Sequence, residues 1–244
     1  LAPSRKTRTR TDDIAVWQPE RNNEEWQQQR DEVTSDYLVV VAYGQILKQS
    51  ILDLPTIAPL NIHGSLLPRW RGASPIQHAL LHGDAMTGVS VQRMVQQLDA
   101  GPVVGPSKTE IMPEETAEDL HDRMRQMSAE LLLQVVRHPL NEVSQNEVEA
   151  TYCTKLSRSD GQIDYTTMTV TALHNMVRAF TPWPGVTTVL HNQSVKLLSM
   201  SLVPTVSSIP LECSDGELHV QLLQSPGGRP TRGQAWLRGH SGQA

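Results

Sequence analysis

The most continuous apolar run in the chain is Tyr37-Leu38-Val39-Val40-Val41-Ala42-Tyr43. It is β-branched and of strand length, which predicts a buried parallel strand over 36–43. Gln45 to Leu52 follows as a short helix ended by Pro55, and Leu60 to His63 as the next strand. Ser74-Pro75 opens a helix that runs to His82, with Ser as N-cap and Pro at the first helical position. Thr87 to Met94 alternates as a half-buried strand, and Val103 to Ile111 reads as another, broken at Gly105-Pro106. Thr116-Ala117-Glu118-Asp119 is a capping box, and Leu120, Met124, Met127, Leu131 and Val135 behind it recur on one helical face. That stripe reads as core.

Beyond His138-Pro139 the pattern changes. Asn141 to Glu149 is polar and reads as a linker. Thr171 then caps a helix carrying Leu173, Met176, Val177 and Phe180. Short strands at Val186–Leu190, Val195–Met200, Leu211–Cys213 and Leu218–Leu223 follow, separated by turn residues. Short strands at such spacing predict a small barrel. Ahead of all this, residues 1–13 read as loop, Val16 to Pro19 as a short extended piece and Glu24 to Val33 as a polar helix.

Composition narrows the function classes. The 244 residues carry a net charge of −5, which argues against an indiscriminate nucleic-acid coat. Charge is uneven, though: Arg5-Lys6-Thr7-Arg8-Thr9-Arg10 is basic and Glu110 to Asp122 acidic. No apolar run approaches a membrane span, and Cys153 and Cys213 offer neither a disulfide framework nor metal spacing. The expected setting is a reducing compartment. His78 and His82 stand four apart but lack a third ligand on the helix, so they read as surface residues and no metal is expected.

The chemistry concentrates in Asn61-Ile62-His63-Gly64-Ser65-Leu66-Leu67-Pro68-Arg69-Trp70-Arg71-Gly72-Ala73-Ser74-Pro75-Ile76-Gln77. On an extended segment Asn61 and His63 share a face. A strand that ends in two polar groups, then a loop and a helix N-terminus, is where open α/β sheets place their sites. Asn61 can donate to an oxyanion through its amide, and His63 can donate or shuttle a proton. Asp99, in Leu98-Asp99-Ala100-Gly101, could orient or charge the imidazole if a parallel sheet brings the two strand ends together.

These residues resemble the signature of the folate-dependent formyltransferases, specifically those acting on methionyl-tRNA. Val39 to Leu47, the Leu98–Gly101 element, Thr151 to Leu156, Asp160 to Asp164, Pro182 to Gly185 and Leu237 to His240 extend the likeness over nearly the whole chain. The resemblance implies an α/β fold: a Rossmann-like formyltransferase domain over 1–140, a linker over 141–155 and an OB-like β-barrel for tRNA over 156–244. It implies transfer of formyl from 10-formyltetrahydrofolate to the α-amine of methionyl initiator tRNA, by a monomer in the bacterial cytoplasm. By matching positions, Asn61, His63 and Asp99 are the catalytic group, and Ser65, Leu66, Leu67 and Pro68 line the folate site. Arg5, Lys6 and Arg8 resemble the tail of a basic loop that meets tRNA. Arg69 and Arg71 read equally as tRNA or folate-tail contacts and as loop-stabilising arginines.

The chain departs from the family pattern at three places. Nothing matches the family's opening strand–helix–strand, so the first domain is expected to be incomplete. Ala100 and Pro102 replace the usual Thr and Asp, and Ser74 a usual Ala. Two rival readings remain beside the favoured one: an amino-sugar-nucleotide N-formyltransferase, and an inactive tRNA-binding relic.

Overall fold

The computed structural model describes residues 35–240, together with the backbone of two short strands near the N-terminus. These two, β1 (Thr9–Thr11) and β2 (Ile14–Val16), form an antiparallel hairpin. The extended piece expected at Val16–Pro19 thus overlaps β2 only at Val16. The polar helix expected over Glu24–Val33, and the basic residues Arg5, Lys6 and Arg8, lie outside the described residues.

The first layer is a mixed four-stranded sheet in the order β3-β4-β6-β7. Its members are β3 (Tyr37–Val41), β4 (Ala58–His63), β6 (Met86–Arg93) and β7 (Val103–Glu110). Only β3 and β4 are parallel, whereas β4–β6 and β6–β7 run antiparallel. This corrects the expectation of a parallel sheet that brings the end of the His63 strand together with the end of the strand before Asp99. The β-branched run of β3 was expected to be buried. It instead forms an edge among the described strands, with Val39 and Val41 exposed.

Conversely, β6 was expected to be half buried and is covered on both faces from Thr87 to Gln92. Its apolar Val89 and Val91 pack with Leu60 against α3 (Ala117–Val136), and its polar Ser90 and Gln92 face the site. The strand β7 runs through Gly105-Pro106 without a break. On the outermost strand of a sheet the absent N–H of Pro106 breaks no ladder bond. Gly105 lets α3 approach closely: a Cβ there would stand 2.7 Å from Val135 Cγ2.

The helix α3 begins as its sequence dictates. Thr116 accepts from the Asp119 N–H, and Asp119 reaches back to the Thr116 N–H. A short helix, α1 (Gln49–Leu52), and α2 (Pro75–Leu81) complete the N-terminal half. Pro75 starts α2 as expected, but the Ser74 side chain makes no capping bond. Two-residue strands β5 (Arg71–Gly72) and β8 (Tyr152–Cys153) pair in parallel and fasten the loop after His63 to the far end of the linker.

The C-terminal half is an antiparallel sheet of β9 (Val186–Leu190), β10 (Gln193–Ser201), β11 (Ile209–Cys213), β12 (Gly216–Gln224) and β13 (Thr231–Arg232). Its order is β11-β12-β10-β9 with β13 on β12, so the described sheet is open where a closed barrel was expected. Helix α4 (Val170–Ala179) is capped by Thr169, two residues before the expected Thr171. It packs on β10 and β12 with one face and on α2 with another, and Arg178 donates to the Met112 carbonyl at 3.2 Å. One apolar core therefore runs through both halves. A last helix, α5 (Gly233–His240), closes over β12 and β13 and was not foreseen. No helix among the described residues is long and apolar enough to cross a membrane.

Candidate active site

The site grows out of the polar face of β4 and β6. Register pairs Asn61 with Gln92 and His63 with Ser90, so all four side chains project from one side of the sheet while Leu60, Ile62, Val89 and Val91 fill the other. The loop after β4 covers part of this face. Ser90 donates its hydroxyl to the Ser65 carbonyl at 2.8 Å and accepts from the Leu67 N–H at 3.0 Å.

Asp99 reaches the same face by a different route from the one expected. Because β6 runs antiparallel to β4, its C-terminal end lies beside the start of β4: Leu60 pairs with Arg93, and Met94 N–H bonds the Pro59 carbonyl. The segment 94–102 therefore has to fold back to bring Asp99 to Asn61 and His63. At the turn Asp99 takes φ +48°, a left-handed conformation that typically costs a non-glycine residue about 1–3 kcal/mol and persists only where neighbours hold it.

Those neighbours are visible. Oδ2 of Asp99 accepts the Gly72 N–H at 2.9 Å, and Oδ1 accepts the Gln92 amide at 2.8 Å. Asn61 Nδ2 is 3.4 Å from the same Oδ1, and His63 Nδ1 is 3.6 Å from Oδ2. The three expected catalytic residues therefore do converge. His63 is 6% exposed and Asp99 11%. The other ring nitrogen of His63, Nε2, lies 2.8 Å from the Trp70 carbonyl, an acceptor only, so Nε2 carries the hydrogen.

The neighbouring loop residues divide. Leu67 and Pro68 border a groove of about 390 Å³ whose other walls are Val103, Val104, Pro106 and linker residues 141–149. Ser65 is buried and its hydroxyl bonds the Arg69 carbonyl, so it shapes the loop from beneath. Leu66 lies against Gly88, where a Cβ would come within 2.7 Å of its Cδ2.

The two arginines separate as well. Arg69 is about half exposed, bonds Asp84 and lies over the Trp70 ring, 4.5 Å from its centroid. Arg71, weighed as a tRNA contact, is fully buried. Its guanidinium donates to Gln145 Oε1 at 2.8 and 3.0 Å and to both Glu147 oxygens at 2.8 and 2.9 Å. With no exposed surface it has nothing to offer a phosphate; this is a correction. Hydrogen bonding to Glu147 pushes the Arg71 pKa further up and holds the Glu147 carboxyl below the ordinary carboxylate range. Burial raises the Cys153 thiol, which sits under the same loop as a packing residue.

Gln92 and Gln145 were missed by sequence reasoning. Gln92 had a signal: it stands two residues after Ser90 in a strand otherwise apolar at alternate positions. Gln145 had none, since it lies in a segment whose composition says only linker.

The chain matches the family described as formyl transferase over residues 3–136 and the formyl transferase C-terminal domain over residues 155–241. It is 41% identical to a methionyl-tRNA formyltransferase of Cereibacter sphaeroides, covering 82% of this chain and 69% of that one. It is 39% identical to the methionyl-tRNA formyltransferase of Pseudomonas entomophila, covering 89% and 75%. Among solved structures, the sugar 3N-formyltransferase WlaRD superposes with a TM-score of 0.61 at 17% identity, over 78% of this chain and 74% of that one. HypX from Aquifex aeolicus superposes with a TM-score of 0.61 at 14% identity, over 83% and 38%. With two family matches that together span most of its length and relatives 41% and 39% identical over most of it, the chain belongs to the formyl transferase family, alongside the methionyl-tRNA formyltransferases.

Proposed function

We propose that the chain catalyses the reaction its curated relatives are named for: transfer of a formyl group from 10-formyltetrahydrofolate to the α-amine of methionyl initiator tRNA, in translation initiation in the bacterial cytoplasm. The observation that carries the reading is the meeting of the Asn61 amide, the His63 imidazole and the Asp99 carboxylate over one polar strand face.

The uncharged amine attacks the formyl carbon, and the carbonyl electrons move onto oxygen. Asn61 supplies the donor for that oxyanion. At 3.4 Å its bond to Asp99 is long, and Gln92 already satisfies the same carboxylate oxygen at 2.8 Å, so the Asn61 amide can turn to the substrate at little cost. The intermediate collapses by breaking the bond from the formyl carbon to N10 of the folate. The amine loses one proton and N10 gains one; the Asp99–His63 pair takes the first and returns it as the second. In this reading Trp70 O holds the ring in place, and the looser contact, at Nδ1, is the one exchanged during the reaction.

The groove bordered by Leu67 and Pro68 supports a folate site there, since Gln145 lines it and bonds the Asp99 carbonyl. The C-terminal sheet, on this reading an OB-like unit, holds the tRNA with residues 156–244, the catalytic unit being 1–140 and the linker 141–155. Arg69, and Arg5, Lys6 and Arg8 ahead of it, supply phosphate contacts. Formylation assays on charged initiator tRNA and on an amino-sugar nucleotide test the proposal. Transfer to the tRNA amine is expected. Transfer only to the sugar amine would reassign the acceptor. Salt-sensitive tRNA binding with no transfer to either would mark a relic.

A further inference from the structure

We infer that Gln145, in the linker, is a positioning residue for Asp99; the inference rests on the role proposed above for that carboxylate. Asp99 stands at φ +48°, and its turn is anchored from within by Gly101, where a Cβ would lie 1.8 Å from the Arg93 carbonyl. From outside, Gly72 and Gln92 hold the Asp99 side chain, and the side-chain amide of Gln145 holds the backbone of the turn. Gln145 Nε2 donates to the Asp99 carbonyl at 2.8 Å and to the Gly101 carbonyl at 2.6 Å, clamping both sides of the strained residue.

The orientation of that amide is itself fixed. Its oxygen accepts from Arg71 Nε and Nη2, so a flipped amide would set an NH₂ group against a guanidinium. Arg71 is fully buried, and the next residue, Gly72, donates its N–H to Asp99 Oδ2. The contacts close a ring: carboxylate to Gly72, along the chain to Arg71, across to Gln145, and back to the Asp99 carbonyl. Both the backbone and the side chain of Asp99 are referred to one buried arginine.

A linker that merely docks would need only the Arg71 ties, and Glu147 supplies as many of those as Gln145 does, with the counter-charge besides. The two roles are separated by Gln145→Glu and Glu147→Gln. Gln145→Glu keeps an acceptor for Arg71 but removes both donors to the turn. Glu147→Gln removes the counter-charge of Arg71 and leaves the turn clamped. For positioning, Gln145→Glu lowers kcat for formyl transfer roughly 10–100-fold, with KM for tRNA and folate within about twofold, since small displacements of a catalytic group cost rates of that order. Glu147→Gln then lowers Tm more and kcat less. The reverse ranking, or equal effects of the two, overturns the inference. Amide hydrogen exchange over residues 95–103 reads the same question without turnover, in case the wild-type chain proves inactive and the proposed function falls. Faster exchange in Gln145→Glu and not in Glu147→Gln supports the clamp; unchanged exchange in Gln145→Glu refutes it.

Discussion

Asp99→Asn isolates what the carboxylate does, because it keeps the shape and changes only the donor and acceptor pattern. Asp99 accepts from Gly72 N–H on one oxygen and Gln92 on the other, with His63 and Asn61 beside them. Asparagine offers one acceptor and one NH₂ group. If its oxygen faces Gln92 and Asn61, its NH₂ meets the Gly72 N–H; if it faces Gly72, its NH₂ meets two amides. Either way a donor loses its acceptor at a position 11% exposed, which costs about 1–3 kcal/mol. For a chain of this size that lowers Tm by about 2–12 °C at roughly 2–4 °C per kcal/mol. Catalysis should suffer more. Without the anion, proton transfer through His63 is lost, and such transfer typically contributes about 10²–10⁴ in rate. Single-turnover formylation at saturating folate and tRNA, run beside a thermal melt, measures both. A rate within about threefold of wild type, far short of the loss of general acid–base help, would show that the carboxylate does not act in the reaction.

Other outcomes follow from the same contacts. Asn61→Ala leaves Asp99 held by Gln92 and Gly72, so folding stays intact while kcat falls about 10²–10³, the usual cost of one oxyanion donor; activity within a few-fold of wild type would remove Asn61 from the mechanism. Gly72→Ala places a Cβ 2.2 Å from the Cys153 carbonyl at φ +119°, so the β5–β8 pairing must open and denaturant midpoints should fall further than in Asp99→Asn. Arg71 holds Glu147 below its ordinary range, and a depressed carboxyl contributes stability that is whole above its unfolded pKa and lost as pH falls through the folded one. Protease cleavage within 141–150 should therefore rise in the wild type as pH drops below about 4.3 and lack that step in Glu147→Gln; a pH-independent wild type would contradict it.

Much of this architecture is legible where the physics is local. The capping box at Thr116 and Asp119, Pro75 at the start of α2 and the bounds of β9 all depend on neighbours within a few residues, and the structure places them as expected, whereas β10, β11 and β12 run longer than the stretches expected for them. What sequence could not give depends on the far side of the sheet. β3 carries the composition of a buried strand yet lies at an edge, because burial is decided by which strands flank it. β6 alternates like a half-buried strand, but its polar face is roofed by the loops at 64–72 and 94–102, so the alternation separates core from site and does not separate core from solvent. Helix α5 has weak local signals, with Gly233 and Gly239 inside it. Arg71 could be read equally as a surface contact or a brace; only Gln145 and Glu147, more than 70 residues away, decide for the brace.

The antiparallel run of β6 explains why Asp99, the third member of the proposed catalytic group, is the hardest to place by spacing. A parallel strand would have delivered Asp99 to His63 as part of its own hydrogen-bond ladder, with little need for outside help. An antiparallel one delivers its loop to the wrong end, so 94–102 must double back and hold a left-handed residue over the sheet. A turn of that kind has no ladder to fix it, and its position is set by Gly72, Gln92 and Gln145, drawn from three separate parts of the chain. The geometry of the site is therefore specified by the polar ties of a buried arginine and a linker as much as by the motif that bears the chemistry. Substitutions in the linker should then register in turnover, even though no linker residue belongs to the proposed catalytic group.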